Sequence, residues 1–375
     1  MDNLIPLNVP FVSEKSRQYV LEALDGNHQQ GDGPFTARAS KMVSDFVGGG
    51  HVLLTPSCTH ALEMASMLAN LGPGDEVILP SFTFTSAATA VSKFGATPIF
   101  VDIEMETKGI DVNQVREAIT PKTKAISWVN YAGVAPDLES LQRLSKEFDL
   151  LLIEDNAHGL GGTHKGKPLG SFGDFATQSF HATKNIQCGE GGALVINNKM
   201  YIERAEIIRE KGTDRSRFIR GEVNKYQWID QGSSYLLAES LAAILLGQLE
   251  TFDSIQRRRQ NVFAKYSEID LMEGLSSNIV EGFKVAHMFF LQFAKSKDRD
   301  SVKLGLNEQG VGVASHYQAL HLSKFGDRFS NNIAGNSNTS RIASTILRFP
   351  LWPGLNETDL FEIIEKANFQ LAKLL

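Results

Sequence analysis

From residue 52 to residue 153 the chain alternates short, continuous apolar runs with stretches of helical periodicity. The apolar runs cover residues 52–54, 76–79, 98–101, 125–129 and 150–153. The helical stretches between them cover residues 57–71, 85–94, 113–119 and 138–148. Strands that are apolar on both sides belong in a mostly parallel sheet with helices on both faces, so the fold class is α/β. Right-handed crossovers bring the C-terminal ends of such strands to one edge, where ligands of these sheets bind. Three segments leave the strands there: residues 55–60, 81–84 and 155–158.

The flanks are read in the same way. Residues 13–24 carry apolar positions at helical spacing behind Ser13, a suitable N-cap. Gly31-Asp32-Gly33-Pro34-Phe35-Thr36 is a turn that opens a second helix towards Phe46; by itself it reads as a surface connection. Beyond residue 153 come a strand at 175–180, the turn Gly189-Glu190-Gly191-Gly192, a strand at 193–196 and a helix at 199–211. Residues 212–234 form a loop too long for a passive connector. Residues 236–269 read as one long helical stretch. A smaller unit of mixed strands and helices follows, with a strand at 288–293, helices at 301–308 and 356–374, and a polar loop at 331–339. The expected division is a large domain over 1–254, with the mostly parallel sheet, and a smaller C-terminal α/β domain over 255–375.

Lys184 lies between the strand at 175–180 and the glycine turn. An amine that condenses with an aldehyde must be deprotonated. Its pKa therefore has to fall below the ordinary lysine value of about 10.4, through burial or neighbouring cations. Asp155 leaves the strand at 150–153, and a carboxylate there can keep a pyridine nitrogen protonated so that the ring draws electrons. Ser57-Cys58-Thr59-His60 sits where a strand turns into a helix, and helix N-termini receive anions such as phosphate. Ser179 adds a hydroxyl. Phe84, after the second strand, offers an aromatic face, and His158 can bond a ring hydroxyl or cover the other face. His316, Tyr317 and His321 are candidate substrate contacts. Each residue alone has a plainer reading, as surface lysine, helix cap or core ring. Together they supply what pyridoxal 5′-phosphate requires, with Lys184 holding it as a Schiff base.

The net charge of −6 argues against a general nucleic-acid binder. Two distant cysteines, Cys58 and Cys188, make neither a disulfide framework nor a zinc site, and no other metal pattern occurs. The N-terminus lacks a signal-peptide pattern and no apolar run approaches a bilayer span, so a cytoplasmic protein without a membrane partner is expected.

These residues and the strings around them resemble the nucleotide-sugar aminotransferases of the DegT type, within the aspartate-aminotransferase-like fold (fold type I of the pyridoxal phosphate enzymes). The likeness runs from Ile5-Pro6-Leu7-Asn8 to Arg348-Phe349-Pro350-Leu351. Thr55-Pro56-Ser57-Cys58-Thr59, Thr183-Lys184-Asn185, Gly232-Ser233-Ser234-Tyr235-Leu236 and Ala286-His287-Met288-Phe289 are similar in particular to transaminases that form dTDP-4-amino-4,6-dideoxygalactose. The resemblance implies that Lys184 is the catalytic base and acid, that Asp155 pairs with the pyridine nitrogen and that Phe84 stacks on the ring. It implies that Thr59, the His60 backbone and Ser179 hold the phosphate. It implies a homodimer with a shared active site, in which Ser234 reaches the partner's phosphate. His158 stands where glutamine is usual, and Ser234 where many relatives carry asparagine. The implied reaction moves an amino group from L-glutamate to the 4-keto carbon of dTDP-4-dehydro-6-deoxy-D-glucose. Its product is dTDP-4-amino-4,6-dideoxy-D-galactose, for cell-surface polysaccharide. Amination at C3, or of a related nucleotide sugar, is the alternative; a regulator that binds the cofactor without turnover is a third reading. Relatives with histidine in place of the lysine eliminate a hydroxyl, which Lys184 argues against.

Overall fold

The structure is a computed structural model and describes residues 4–279, 285–329 and 337–375. Helix α1 (Glu14–Asp25) starts at Ser13, whose hydroxyl accepts from the Ser16 N–H. Helix α2 (Pro34–Phe46) has no side-chain cap of its own. Instead the Gly33, Phe35 and Thr36 N–H groups donate to the buried carboxylate of Glu239, at 3.0, 2.8 and 3.0 Å.

The alternation expected from residue 52 onwards is present: β1 (His51–Thr55), α3 (Cys58–Leu68), β2 (Glu76–Pro80), α4 (Thr85–Ser92), β3 (Thr97–Val101), α5 (Val112–Ala118), β4 (Thr123–Val129), α6 (Leu138–Phe148) and β5 (Leu151–Asp155). A small hairpin of β6 (Thr163–His164) and β7 (Lys167–Pro168) precedes β8 (Phe175–Ser179) and β9 (Gly192–Ile196). The large sheet has seven strands in the order β1-β9-β8-β5-β4-β2-β3. Strands β3, β2, β4, β5 and β8 pair in parallel. Strand β9 runs against both of its neighbours. The reason is the short link from β8: the glycine turn cannot supply the dozen or more residues of a parallel crossover. Strand residues alternate between faces. Leu53, Ile153, Phe175 and Leu194 pack with α3. Leu54, Ala176 and Val195 pack with α2 and with Ala242, Leu245 and Leu246 of the later helix α9 (Glu239–Glu250).

The segment after β9 departs from expectation in two places. Residues 199–211 form a 3-10 turn and then α7 (Ile202–Arg209), and the long loop carries a short helix α8 (Arg215–Ile219). The stretch 236–269 is not one helix. It breaks at Thr251, between α9 and α10 (Phe252–Lys265), where the Thr251 hydroxyl donates to the Gly247 carbonyl at 2.8 Å. The break lets α9 keep its apolar side on the large sheet while the charged α10 turns away. The expected division at residue 255 falls in the first turn of α10. Ile255 packs with the large-sheet core, whereas Val262 and Phe263 pack with the second core.

The second core surrounds an antiparallel sheet of β10 (Leu275–Ser277), β11 (Phe289–Phe293) and β12 (Ile346–Phe349). Helices α11 (Ser296–Glu308), α12 (Asn338–Thr345) and α13 (Glu357–Ala372) accompany it. The N-terminal Ile5 packs into this core and bridges Val311. Of the polar loop expected at 331–339, residues 331–336 lie outside the described residues, and Asn338 already opens α12. No helix among the described residues is long and apolar enough to cross a membrane.

Candidate active site

The strand ends β1, β4, β5 and β8 open on a cavity of about 510 Å³. Thr59, Phe84, Asp155, His158, Ser179, Lys184, His316 and Tyr317 all line it, as the sequence suggested. Strand β5 shows how local pattern aims a side chain. Its two last residues are both buried carboxylates, but they point to opposite faces. Glu154 accepts from the Asn130 amide and from the Gly170 and Phe172 N–H groups, at 2.8, 2.7 and 2.9 Å, and so ties down a loop. Asp155 turns to the cavity, where the Ala157 N–H donates to it at 3.1 Å. Burial raises the Asp155 pKa, opposed by that N–H and by the nearby Lys184 ammonium.

Burial also acts on Lys184, lowering its pKa to about 8 against the opposing pull of Asp155. The amine is therefore partly neutral near physiological pH, the state in which it attacks an aldehyde. At the other end of the cavity, α3 starts at Ser57, whose hydroxyl caps the His60 N–H at 3.2 Å. The first N–H groups of α3 cannot reach a helix carbonyl and face outward with the positive end of the helix dipole. Thr59 and Ser86, joined at 2.7 Å, add hydroxyls there, and Ser179 faces them from the end of β8. A buried amine, a buried acid and a hydroxyl-rich helix start in one enclosed space fit the aldehyde, the pyridine nitrogen and the phosphate of pyridoxal 5′-phosphate. Phe84, 55% exposed, stands at the cavity with its ring 6.0 Å from that of Tyr317.

The hydrogen bonds settle the proton positions of two histidines. Ala132 donates its N–H to Nδ1 of His158 at 3.3 Å, so Nε2 carries the hydrogen and donates it to the Tyr317 hydroxyl at 3.2 Å. His287 donates from Nδ1 to the Asn185 side-chain carbonyl at 2.9 Å. The two imidazoles stack, with centroids 4.1 Å apart. Burial, followed by the charge of Lys184, pushes both well below the usual histidine pKa, so both are neutral. Behind them the fully buried Arg259 donates to the carbonyls of Ala286 and His287, at 2.8 and 2.7 Å, and holds that segment against the cavity.

Three expected residues lie elsewhere in the single chain. The His60 ring leans on Tyr235, 5.3 Å between centroids, and its N–H already serves the Ser57 cap. Ser234 is exposed on the long loop, beside Glu210. His321 is buried outside the cavity lining: its Nδ1 meets the Ser81 hydroxyl at 2.7 Å and its Nε2 the Ser340 hydroxyl at 3.4 Å. That arrangement pins the 3-10 turn at Leu320–Leu322 to the end of β2. The turn at residues 31–36 likewise packs on Glu239 and Arg209 and does not line the cavity.

The cavity also includes residues that the motif reading passed over: Cys58, Ser86, His181, Glu190, His287 and Arg348. Cys58 bonds Thr177 at 3.4 Å, and burial raises its thiol pKa, so it packs as a neutral group. His287 and Arg348 fall within strings that carry the family resemblance, yet nothing in their local pattern indicates a cavity wall.

The sequence profile of the DegT/DnrJ/EryC1/StrS aminotransferase family matches residues 10–368. The spore coat polysaccharide biosynthesis protein SpsC of Bacillus subtilis is 29% identical, over 97% of this chain and 96% of that protein. Among solved structures, the aminotransferase TlmJ of Streptoalloteichus hindustanus superposes with a TM-score of 0.90 at 26% identity, covering 99% of this chain and all of that one. The sugar aminotransferase Spr1654 of Streptococcus pneumoniae, described as putative and solved in its PLP form, gives 0.89 at 25% identity, with 99% and 100% covered.

Proposed function

The chain belongs to the DegT/DnrJ/EryC1/StrS aminotransferase family, with the fold of type I pyridoxal phosphate enzymes, and is a pyridoxal 5′-phosphate-dependent sugar aminotransferase; within that class we propose that it moves an amino group from L-glutamate to the 4-keto carbon of dTDP-4-dehydro-6-deoxy-D-glucose. The product is dTDP-4-amino-4,6-dideoxy-D-galactose, made for a cell-surface polysaccharide. One observation carries the chemistry: Lys184 and Asp155, both buried, meet in one cavity with a phosphate-ready helix start. The sugar rests on the strings around Thr59, Lys184, Ser234 and His287, similar to those of transaminases that make this product. The likeness to a spore coat polysaccharide protein supports the pathway class.

When bound, the cofactor supplies an electron-poor ring next to the carbon that bears the amine. The chain's own groups do the rest. Asp155 keeps a positive charge on the ring nitrogen. Thr59 and Ser179 would hold the phosphate, with Ser86 beside them, while the His60 N–H stays in the Ser57 cap. Lys184 would move one proton in each half-reaction, from the donor carbon to the cofactor carbon that bears the amine in the first and from that cofactor carbon to the sugar carbon in the second, a task suited to an amine titrating near working pH. Phe84, His158 and Tyr317 would line the ring's surroundings with aromatic faces.

The second copy in this reading is another molecule of the same chain, forming a homodimer with a shared active site. Ser234 would reach the partner's phosphate. Its loop exposes Trp228 at 79%, with Phe218, Ile219, Tyr226 and Ile229 also exposed, which suits a surface that another subunit covers. His316 and Tyr317 would form the sugar side.

The experiment is direct. Purified enzyme is incubated with L-glutamate and with dTDP- and UDP-linked 4-keto-6-deoxy sugars, and the product is assigned by NMR. Amination at C4 of the dTDP sugar, with the new amine axial as in the galactose configuration, is expected. A product aminated at C3, or turnover only with the UDP sugar, rejects the proposed substrate.

A further inference from the structure

The two carboxylates at the end of β5 are held differently. Glu154 has donors on both oxygens: the Asn130 amide and the Gly170 N–H on Oε1, and the Phe172 N–H on Oε2. Asp155 accepts from the Ala157 N–H on Oδ1, and among the described residues no backbone N–H reaches its Oδ2. Two side chains stand beside it. Thr177 is the registered neighbour of Asp155 in the parallel pair of β5 and β8, so both side chains leave the same face of the sheet. Thr177 is fully buried and does not line the cavity. Cys58, the first residue of α3, brings its sulfur to 3.4 Å from the Thr177 hydroxyl and 4.0 Å from Oδ1 of Asp155. Burial keeps this thiol protonated, so sulfur is the donor of the Cys58–Thr177 pair. The hydroxyl hydrogen of Thr177 is then free for Asp155, whose pKa it lowers.

We propose that Thr177, oriented by the Cys58 thiol, positions the Asp155 carboxylate for the cofactor's ring nitrogen. This rests on the reading that pairs Asp155 with that nitrogen. The pairing needs a carboxylate that stays ionised although it is buried, and burial favours the neutral acid. Each donor to the ionised form works against burial, and donors in a chain polarise one another. The chain here runs from thiol to hydroxyl to carboxylate, across α3, β8 and β5. It also joins the two ends of the cofactor's site. Cys58 directly follows the Ser57 cap at the start of α3, and Thr177 lies two residues before Ser179 on the same face of β8. Thr177 acts only through Asp155 and is a positioning residue.

The test compares two ligands on the apoenzyme: pyridoxal 5′-phosphate and its 1-deaza analogue, in which carbon replaces the ring nitrogen. Dissociation constants are measured by absorbance titration for the wild type and for Thr177→Val, Thr177→Ser and Cys58→Ala. Valine keeps the branched shape of threonine and the strand preference, so Thr177→Val removes the hydroxyl with little change of packing. It should weaken pyridoxal 5′-phosphate by about tenfold, the worth of one hydrogen bond to a charged group. The analogue, which has no nitrogen to pair, should stay within about twofold of its wild-type affinity in every variant. Thr177→Ser keeps the hydroxyl and should bind the cofactor like the wild type. Cys58→Ala removes the outer donor alone and should weaken the cofactor by about threefold. Unchanged cofactor affinity in Thr177→Val, or an equal loss for both ligands, overturns the assignment. Where the wild type prefers the cofactor over the analogue and Thr177→Val keeps that preference in full, the assignment falls and the Asp155 pairing stands. Equal wild-type affinities for the two ligands overturn the pairing itself and the assignment with it.

Discussion

Gly192 and Gly189 belong to one turn but are required for different reasons, and two alanine substitutions separate them. At Gly192 a β-carbon would lie 2.4 Å from the Cys58 nitrogen and from the Ser57 carbonyl carbon, and 2.6 Å from the Ser57 oxygen. Ordinary non-bonded contacts begin near about 3.5 Å, so roughly 1 Å must be made up. Strand β9 can yield little, because Gly192 is paired with Thr55 on one side and Ser179 on the other. The shift therefore falls on the first turn of α3, the part that faces the cofactor's phosphate. Displacing a positioned group by about 1 Å can cost about 100-fold. Gly192→Ala should weaken pyridoxal 5′-phosphate binding by about 10- to 100-fold. Gly189 has open space around a β-carbon but a φ of +84°. Gly189→Ala should cost about 1–2 kcal/mol of stability through backbone strain and leave cofactor affinity alone. Apoenzyme is titrated with the cofactor by absorbance and fluorescence, and urea midpoints are measured alongside. Wild-type affinity in Gly192→Ala, or an equal loss in both variants, would refute the argument.

Further outcomes follow from single residues. Burial sets Lys184 at about 8, and only its neutral amine attacks an aldehyde. Cofactor capture by apoenzyme should therefore quicken roughly tenfold from about pH 6 to 7 and level off above about pH 9. A stopped-flow rate that keeps climbing past that pH would place the amine at its ordinary value. Asp155→Asn removes a buried charge with one backbone partner. Turnover should drop by about 100-fold or more, while apoenzyme stability near pH 7 is kept or gains about 1 kcal/mol; a large fall in melting temperature would contradict this. Glu239→Ala strips the acceptor from three N–H groups at the start of α2. It should lose about 3–5 kcal/mol by urea denaturation, with KM for both substrates within about twofold.

Much of the site was legible in the chain because it depends on local order. The period of two in β5 sends Glu154 and Asp155 to opposite faces, and the strand-to-helix junction at Ser57 makes an anion site wherever it folds. Alternating strands and helices then gather their C-terminal ends, which brings Asp155, Thr59 and Ser179 together without knowledge of any contact. The glycine turn showed where backbone must come close, though not what it approaches.

Other features depended on packing between distant segments. The short link from β8 already sets the antiparallel direction of β9, but its seat between β1 and β8 follows from which strand edges were free. The break at Thr251 follows from the change of core between Ile255 and Val262. His321, in the same string as His316, was drawn instead into bonds with Ser81 and Ser340. His287 and Arg348 reach the cavity only because β11 and β12 of the small sheet lie beside it. Periodicity, caps and turns are written in neighbouring residues, so the sequence by itself determined the α/β alternation and the groups at the strand ends. The wall opposite Lys184 is built by contacts between residues more than a hundred positions apart, which no local pattern encodes, and only the tertiary structure decided it.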